Sequence, residues 1–285
     1  MIIKVTDEEF NLLRDIIQKK SGIHLGDNKK YLIENRLSLL ASKAQCTTFG
    51  EFARKLNYGF KSKDLEEKVI EAITTKETYW FRDFFPFEYL KEVFFPLMAE
   101  EILSGKRDHI RIWSAASSTG QEPYSIAMTA LEFQRKFRLA KPIDQYLSIL
   151  ATDISQKALT KAEQGVYNYN ELRRGLPEEY IRQYFKEKGA DWILSGKVRS
   201  MVEFAVYNLQ HPVPVKWKDF DLIMLRNVMI YFSDAFKKSI FEKIAKKLGS
   251  DGILYLGTGE TVSGYSNKFQ VLDYKKVKYY KIRPQ

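Results

Sequence analysis

The 285-residue sequence contains a single cysteine, Cys46, which excludes an internal disulfide and any cysteine cluster for a metal. Its three histidines, His24, His109 and His211, stand far apart without ligand spacing, so no metal centre is expected. No run of about 18 apolar residues occurs, and Met1-Ile2-Ile3-Lys4 is not a secretory leader. A soluble chain working in the cytoplasm, with no membrane insertion, is therefore expected. Glycine is scarce where it would be most informative. The stretch "RIWSAASSTGQEPYS" (111–125) runs from an apolar strand stub through small residues into a helix, the outline of a nucleotide-binding βα unit. Of the spaced glycines that cradle a pyrophosphate only Gly120 is present, and Glu122 stands where phosphate oxygens would be expected. Both features argue against a diphosphate ligand.

What the sequence does hold is charge and a core. Net charge is +10 and the pI about 9.3, with 45% hydrophobic and 14% aromatic residues. Such a length accommodates one large domain or two modest ones. The basic balance fits an acidic partner or a merely well-solvated surface, and composition does not choose between them.

Residues 1 to 75 carry helical patterning only. Thr6-Asp7-Glu8-Glu9 forms a capping-box pattern before "FNLLRDIIQKK", and Ser21-Gly22 stops that helix. Further helices are expected over about 29–44, 47–56 and 64–73. From about residue 108 short β-rich runs ("HIRIWS", "YLSILATD", "VEFAVYN", "DLIMLRN", "GILYLG") alternate with helices near 122–138, 155–164 and 234–248. This alternation implies an α/β fold: a mostly parallel, doubly wound, Rossmann-like sheet over residues 76–285, following the small N-terminal helical domain. An excursion at about 166–201, with a helix ("PEEYIRQYF") and two short strands around Ser195-Gly196, reads as a small inserted antiparallel β-subdomain. "FQVLDYKKVKYYKI" reads as a closing hairpin whose lysines protect a sheet edge.

Ligands of such sheets sit beyond the carboxyl ends of the strands. Three features should meet there: the turn Ala115 to Gly120, Asp153 at the end of "SILATD", and Arg226, Asn227 and Tyr231 in "LRNVMIYF". Asp153 could hold both ribose hydroxyls or simply cap the next helix. It lies 33 residues beyond Gly120, further than the roughly 20 of a dinucleotide fingerprint. A ribose-bearing ligand with a cationic end and no phosphates suits Glu122 and Asp153, which points to S-adenosylmethionine.

These segments, with "TKETYWFRD" (75–83), "LATDIS" (150–155) and "VEFAVYNL" (202–209), resemble in order and content the chemotaxis receptor glutamate methyltransferases, the CheR family. The resemblance runs from the N-terminal helices to the last strands. It implies an S-adenosylmethionine-dependent protein-glutamate O-methyltransferase, leaving S-adenosylhomocysteine, whose substrate is the cytoplasmic helical bundle of methyl-accepting chemoreceptors. Matched position by position, it implies cofactor contacts from Thr78, Arg82, Glu122, Asp153, Asn208, Leu209, Arg226 and Asn227. Arg82 and Tyr231 would then place the reacting groups, with Tyr231 at the substrate opening. Lys76 stands where the family often has Asn, and is left outside this set. The family's β-subdomain in some members binds a receptor tether peptide. Asp191 to Ser200 offers a shorter loop than those members have, so a member independent of the tether is expected.

On the second helix Lys29, Arg36 and Lys43 fall within about 40° of one another and interrupt an apolar arc. Either their stems pack along the core or Arg36 pairs internally with a carboxylate, or the stripe meets acidic receptor helices; the resemblance favours receptor recognition by some of them. A monomer is expected. Two rival readings remain. A nucleic-acid methyltransferase would usually carry an Asn/Asp-Pro-Pro-aromatic motif after the fourth strand, where this chain has Arg226-Asn227-Val228-Met229-Ile230-Tyr231, so no nucleic-acid partner is expected. A catalytically silent receptor-binding module is opposed by the acids and arginines being in place.

Overall fold

The computed structural model describes residues 3–58 and 62–284. The chain ends Met1, Ile2 and Gln285, with which the two expected domains begin and finish, lie outside the described residues.

The first helices are α1 (Asp7–Ser21), α2 (Lys30–Lys43), α3 (Phe49–Tyr58) and α4 (Ser62–Ile73). Thr6 caps α1 as expected: its hydroxyl accepts from the Glu9 N–H at 3.2 Å, and the Glu9 carboxylate accepts from the Thr6 N–H at 3.0 Å. Phe10, Leu13 and Ile17 of α1 pack with Ile33 and Leu37 of α2 and with Phe49, Phe52 and Leu56 of α3. Each such burial contributes about 1.5–3 kcal/mol, enough to hold four short helices that would fray alone.

The rest of the chain runs α5 (Phe85–Tyr89), α6 (Phe95–Leu103), β1 (Ile110–Ala115), α7 (Gln121–Lys136), β2 (Leu147–Asp153) and α8 (Gln156–Gln164). It continues β3 (Val166–Asn168), α9 (Tyr169–Arg173), α10 (Glu178–Tyr184), β4 (Phe185–Lys188), β5 (Asp191–Leu194), α11 (Gly196–Arg199) and β6 (Val202–Val206). It closes with β7 (Phe220–Leu225), α12 (Asp234–Ala245), β8 (Leu248–Leu256), β9 (Phe269–Tyr274) and β10 (Val277–Ile282). Helices α5 and α6 were not anticipated, although Pro86 and Pro96 mark their first turns, where a missing N–H costs nothing.

The main sheet has the order β6-β2-β1-β7-β8-β10-β9, parallel from β6 to β8. Side chains alternate between its faces. Ile112, Leu222, Met224 and Tyr255 pack in the core that includes Tyr124, Ile126 and Phe95, whereas Trp113, Ile223, Leu225 and Leu254 pack in the core that includes Ile240, Phe241 and Ile244. The chain winds outward from β1 through β2 to β6, then returns to place β7 on the other side of β1. The strand order therefore reverses between β1 and β7, and a ligand crevice is expected there.

Two local readings need correction. Only Asp191–Leu194 of "DWILSGKVRS" is a strand; Gly196–Arg199 is a helical turn, and β5 pairs instead with β3 and β4 in a three-stranded antiparallel sheet. The charged Lys186-Glu187-Lys188 of β4 gave no alternation to read. The closing hairpin is present, but Lys278 and Lys281 lie on β10, which has neighbours on both sides, so they guard no edge. Lys275 in its turn pairs with Glu88 and Glu92, each at 3.0 Å.

The helical domain docks onto the loops at the sheet's carboxyl edge. The amide of Asn208 donates to Lys20 O at 2.8 Å, that of Gln210 to Gln18 O at 2.9 Å, and the His24 N–H to Tyr231 O at 2.8 Å. Ile23 bridges to Phe232 in antiparallel fashion. Gly22 makes this approach possible: it ends α1 at φ +78°, and a side chain there would run into the Phe236 ring.

Candidate active site

The carboxyl edge of the sheet holds a cleft with about 1050 Å³ of empty space, its open mouth included. Its floor is the turn after β1. Ala116 (φ +59°) and Ser118 (φ +51°) are both left-handed, a conformation that costs about 1–2 kcal/mol per residue. The bend turns backbone N–H groups inward: Ser117 donates to Thr152 O at 2.9 Å, and Ser118 to Asp153 Oδ2 at 2.8 Å. The Ser155 N–H donates to Asp153 Oδ1 at 2.9 Å. Each oxygen of this carboxylate thus accepts one backbone bond and keeps a lone pair for a ligand hydroxyl. Burial pushes the Asp153 carboxyl above the ordinary range, and the two N–H groups pull against that. The helix-cap alternative is disposed of, because Ser155 itself caps α8 through Ala158 N.

Beneath the opposite wall lies a charged chain. Arg226 donates through Nη1 to Glu122 Oε2 at 2.9 Å, and through Nη2 to Asp83 Oδ2 and to Arg82 O, both at 2.7 Å. Ser114 Oγ donates to the other Glu122 oxygen at 2.7 Å. The Arg226 side chain is 1% exposed. Burial raises the Glu122 carboxyl, while the guanidinium and the hydroxyl favour its charged form. Two carboxylates meet at one guanidinium; of the pair Glu122 lines the cleft, and Asp83 stands behind it. A ligand cation is suited to that place. Asp83 (φ +69°) lies between the left-handed residues Phe81 (φ +48°) and Phe84 (φ +53°), separated from Phe81 by Arg82. Arg82 lies across the Tyr79 ring at 5.4 Å and donates to Glu77 O at 2.9 Å.

All nine residues expected at one pocket, Thr78, Arg82, Glu122, Asp153, Asn208, Leu209, Arg226, Asn227 and Tyr231, line this cleft. Two of them stand there differently from the expectation. The terminal nitrogens of Arg226 are spent on Glu122, Asp83 and a carbonyl, so it shapes the acids. The side-chain amide of Asn208 is spent on docking α1, so it walls the cleft. Lys29, Arg36 and Lys43 do not line it. Arg36 donates to Ile73 O at 2.6 Å, an internal partner that is a carbonyl and not a carboxylate, and it fastens the linker that carries Thr74 and Thr75 into the wall. Lys29 extends toward the half-exposed Tyr31, and Lys43 is exposed. Ser117 lies in the turn expected there; sequence reading missed Asp83, which reaches the site through Arg226, and Ser21 and Ile23, which the docked helical domain brings to the pocket. Lys76 lines the cleft too; it pairs with Glu71, and burial lowers its pKa.

Among the described residues, Ser117 Oγ and Arg226 Nε are buried in this site without a partner. A free hydroxyl on the floor, a carboxylate with two spare lone pairs and the Glu122 carboxyl in the wall fit the ribose and the cationic amino acid end of S-adenosylmethionine. Together with the reversed parallel sheet, they define an S-adenosylmethionine-dependent methyltransferase. Residues 8–74 match the family model described as CheR methyltransferase, all-alpha domain, and residues 76–278 the CheR methyltransferase, SAM binding domain. The chain belongs to the CheR methyltransferase family. It is 38% identical over 272 residues to a chemotaxis protein methyltransferase of Vibrio parahaemolyticus, covering 95% of each chain. Chemotaxis protein methyltransferase 1 of Vibrio cholerae (38% over 271 residues, 95% of each) and of Pseudomonas aeruginosa (37% over 271 residues, 95% and 96%) are similar to the same extent. No helix among the described residues is long and apolar enough to cross a membrane.

Proposed function

We propose that this enzyme methylates glutamate side chains on the cytoplasmic helical bundle of chemoreceptors, forming methyl esters, and that it does so as a cytoplasmic monomer. The observation that carries this reading is the chemistry of the cleft wall: two buried acids held by backbone N–H groups and a guanidinium, with no histidine or cysteine in the wall among the described residues. An acceptor that must lose a proton would need a free base there, whereas both acids are committed to those partners and Lys76 is paired with Glu71. A glutamate, with a pKa near 4.3, is already ionised at pH 7 and needs none.

S-adenosylmethionine supplies a methyl group made electrophilic by its sulfonium. Asp153 would hold the ribose hydroxyls, Glu122 the ammonium, and Arg82 a carboxylate, of the donor or of the acceptor. Thr78, Asn208, Leu209 and Asn227 would wall the donor, and Tyr231 would orient the acceptor at the mouth. Alignment of this kind is worth roughly 7–11 kcal/mol in well-oriented systems. Residues 76–285 would bind the donor, with the inserted piece at 166–201 buttressing the floor: Tyr167 donates to Thr119 O at 2.7 Å. Residues 1–75 would meet the receptor through the Lys29 and Lys43 side of α2, while Arg36 ties that helix to the cleft.

Incubated with labelled S-adenosylmethionine, a purified receptor bundle should acquire base-labile label, and the same bundle with its acceptor glutamates changed to alanine should acquire none. Base-stable label, or label only on added nucleic acid, would refute the reading.

A further inference from the structure

The loop Arg226–Tyr231 carries four of the cleft's residues, Arg226, Asn227, Val228 and Tyr231, yet its own backbone is strained. Asn227 stands at φ +58°. What holds it lies on another loop. Glu260 Oε2 accepts from the Asn227 N–H and the Gly257 N–H, both at 2.7 Å, and Glu260 Oε1 accepts from the Met229 N–H at 2.8 Å. The Glu260 N–H returns to Gly257 O at 2.9 Å, closing the turn after β8. Among the described residues no lysine or arginine pairs with this half-buried carboxylate, so its protein partners are the three backbone donors. Such charge-assisted bonds are roughly twice as strong as neutral ones. Gly257 completes the joint, because a Cβ there would stand 2.6 Å from Asn227 N and 2.7 Å from Glu260 Oε2. The carboxylate therefore bolts together the carboxyl ends of the neighbouring strands β7 and β8.

We propose that Glu260 is a positioning residue of the donor site: it fixes the left-handed turn at Asn227 and with it the walls formed by Asn227, Val228 and Tyr231. Arg226 enters this turn directly from β7, and Tyr231 O leaves it to meet His24 of the helical domain. One carboxylate thus sets both the cleft wall and the docking register. The inference rests on the cleft being the S-adenosylmethionine site.

Glu260→Gln keeps size and shape but turns an N–H₂ toward at least one of the three donors. In calorimetry with S-adenosylhomocysteine, its Kd should rise about tenfold, the size of one lost charge-assisted hydrogen bond, with stoichiometry still near one. In the ligand-free protein, amide exchange at 227–229 should quicken while that of β1 stays unchanged. An unaltered Kd at full stoichiometry would overturn the proposal. So would a falling stoichiometry at unaltered Kd with exchange quickened throughout, since Glu260 would then serve folding only. Failure of the parent protein itself to bind S-adenosylhomocysteine would instead overturn the reading of the cleft.

Discussion

Arg226→Met is expected to lower the stability of the free protein by about 3–5 kcal/mol and to abolish measurable S-adenosylhomocysteine binding. The reason is what the substitution leaves behind. Glu122 and Asp83 lie against a guanidinium that is 1% exposed, and methionine would strand both carboxylates with no cation between them. For a chain of this length the loss corresponds to a fall in Tm of about 10 °C. Most of the loss is the penalty of unpaired charge, so it should shrink at low pH, where the stranded acids take up protons. It should also shrink in the double variant Arg226→Met, Glu122→Gln. Binding should not recover in that double variant, because the acid that receives the ammonium has gone. Thermal unfolding and calorimetry on the three proteins check both halves. A Tm within about 2 °C of the parent would show that the charged chain is not what holds this wall.

Asp153→Asn should weaken S-adenosylhomocysteine on the order of a hundredfold, the value of two hydrogen bonds to a charged acceptor. An amide would also turn its N–H₂ against the N–H of Ser118 or Ser155, so the turn itself loosens. The parent's pH dependence carries a second signature. Burial raises this carboxyl, so the folded protein holds the proton more tightly than the unfolded chain. The free protein is then stabilised at acid pH, and this contribution is lost as pH rises from the ordinary aspartate value through the raised one. Affinity runs the other way, since only the ionised carboxylate accepts from both hydroxyls. As pH falls through the raised value Kd should climb, and Asp153→Asn should remove one proton from the slope of log Kd against pH. An unchanged slope would contradict the assignment.

Much of the site was legible because it is written in residue types that strand ends require. Small residues after β1, an acid ending β2 and a polar cluster after β7 fall together wherever a parallel sheet reverses, whatever the loops between them do. The resemblance then assigned Thr78, Arg82 and Asn208, which no spacing rule reaches. What stayed hidden depends on contacts between segments distant in sequence. Arg36 is on a helix stripe that suits a receptor as well as a core, and only the fold shows its guanidinium on Ile73 O. Asp83 and Glu260 are single acids without a motif; their meaning comes from Arg226, 143 residues away from the first, and from Asn227, 33 residues before the second. The left-handed residues Phe81, Ala116, Ser118 and Asn227 are not glycines, so no residue type marks the bends they make. Helices α5 and α6 lie in an aromatic run with no clear polar face, and only their prolines, each in a first turn, mark them.

The central claim is that the cleft aligns an acceptor that is already ionised, without a proton acceptor of its own. The most direct test is the single-turnover rate of methyl transfer to a receptor bundle, with enzyme and donor saturating, from about pH 6.5 to 9. A glutamate acceptor gives a rate that is flat across this range, because nothing on the acceptor titrates there. A rate that climbs about tenfold per pH unit would mean that the acceptor must first be deprotonated, and the glutamate assignment would fall.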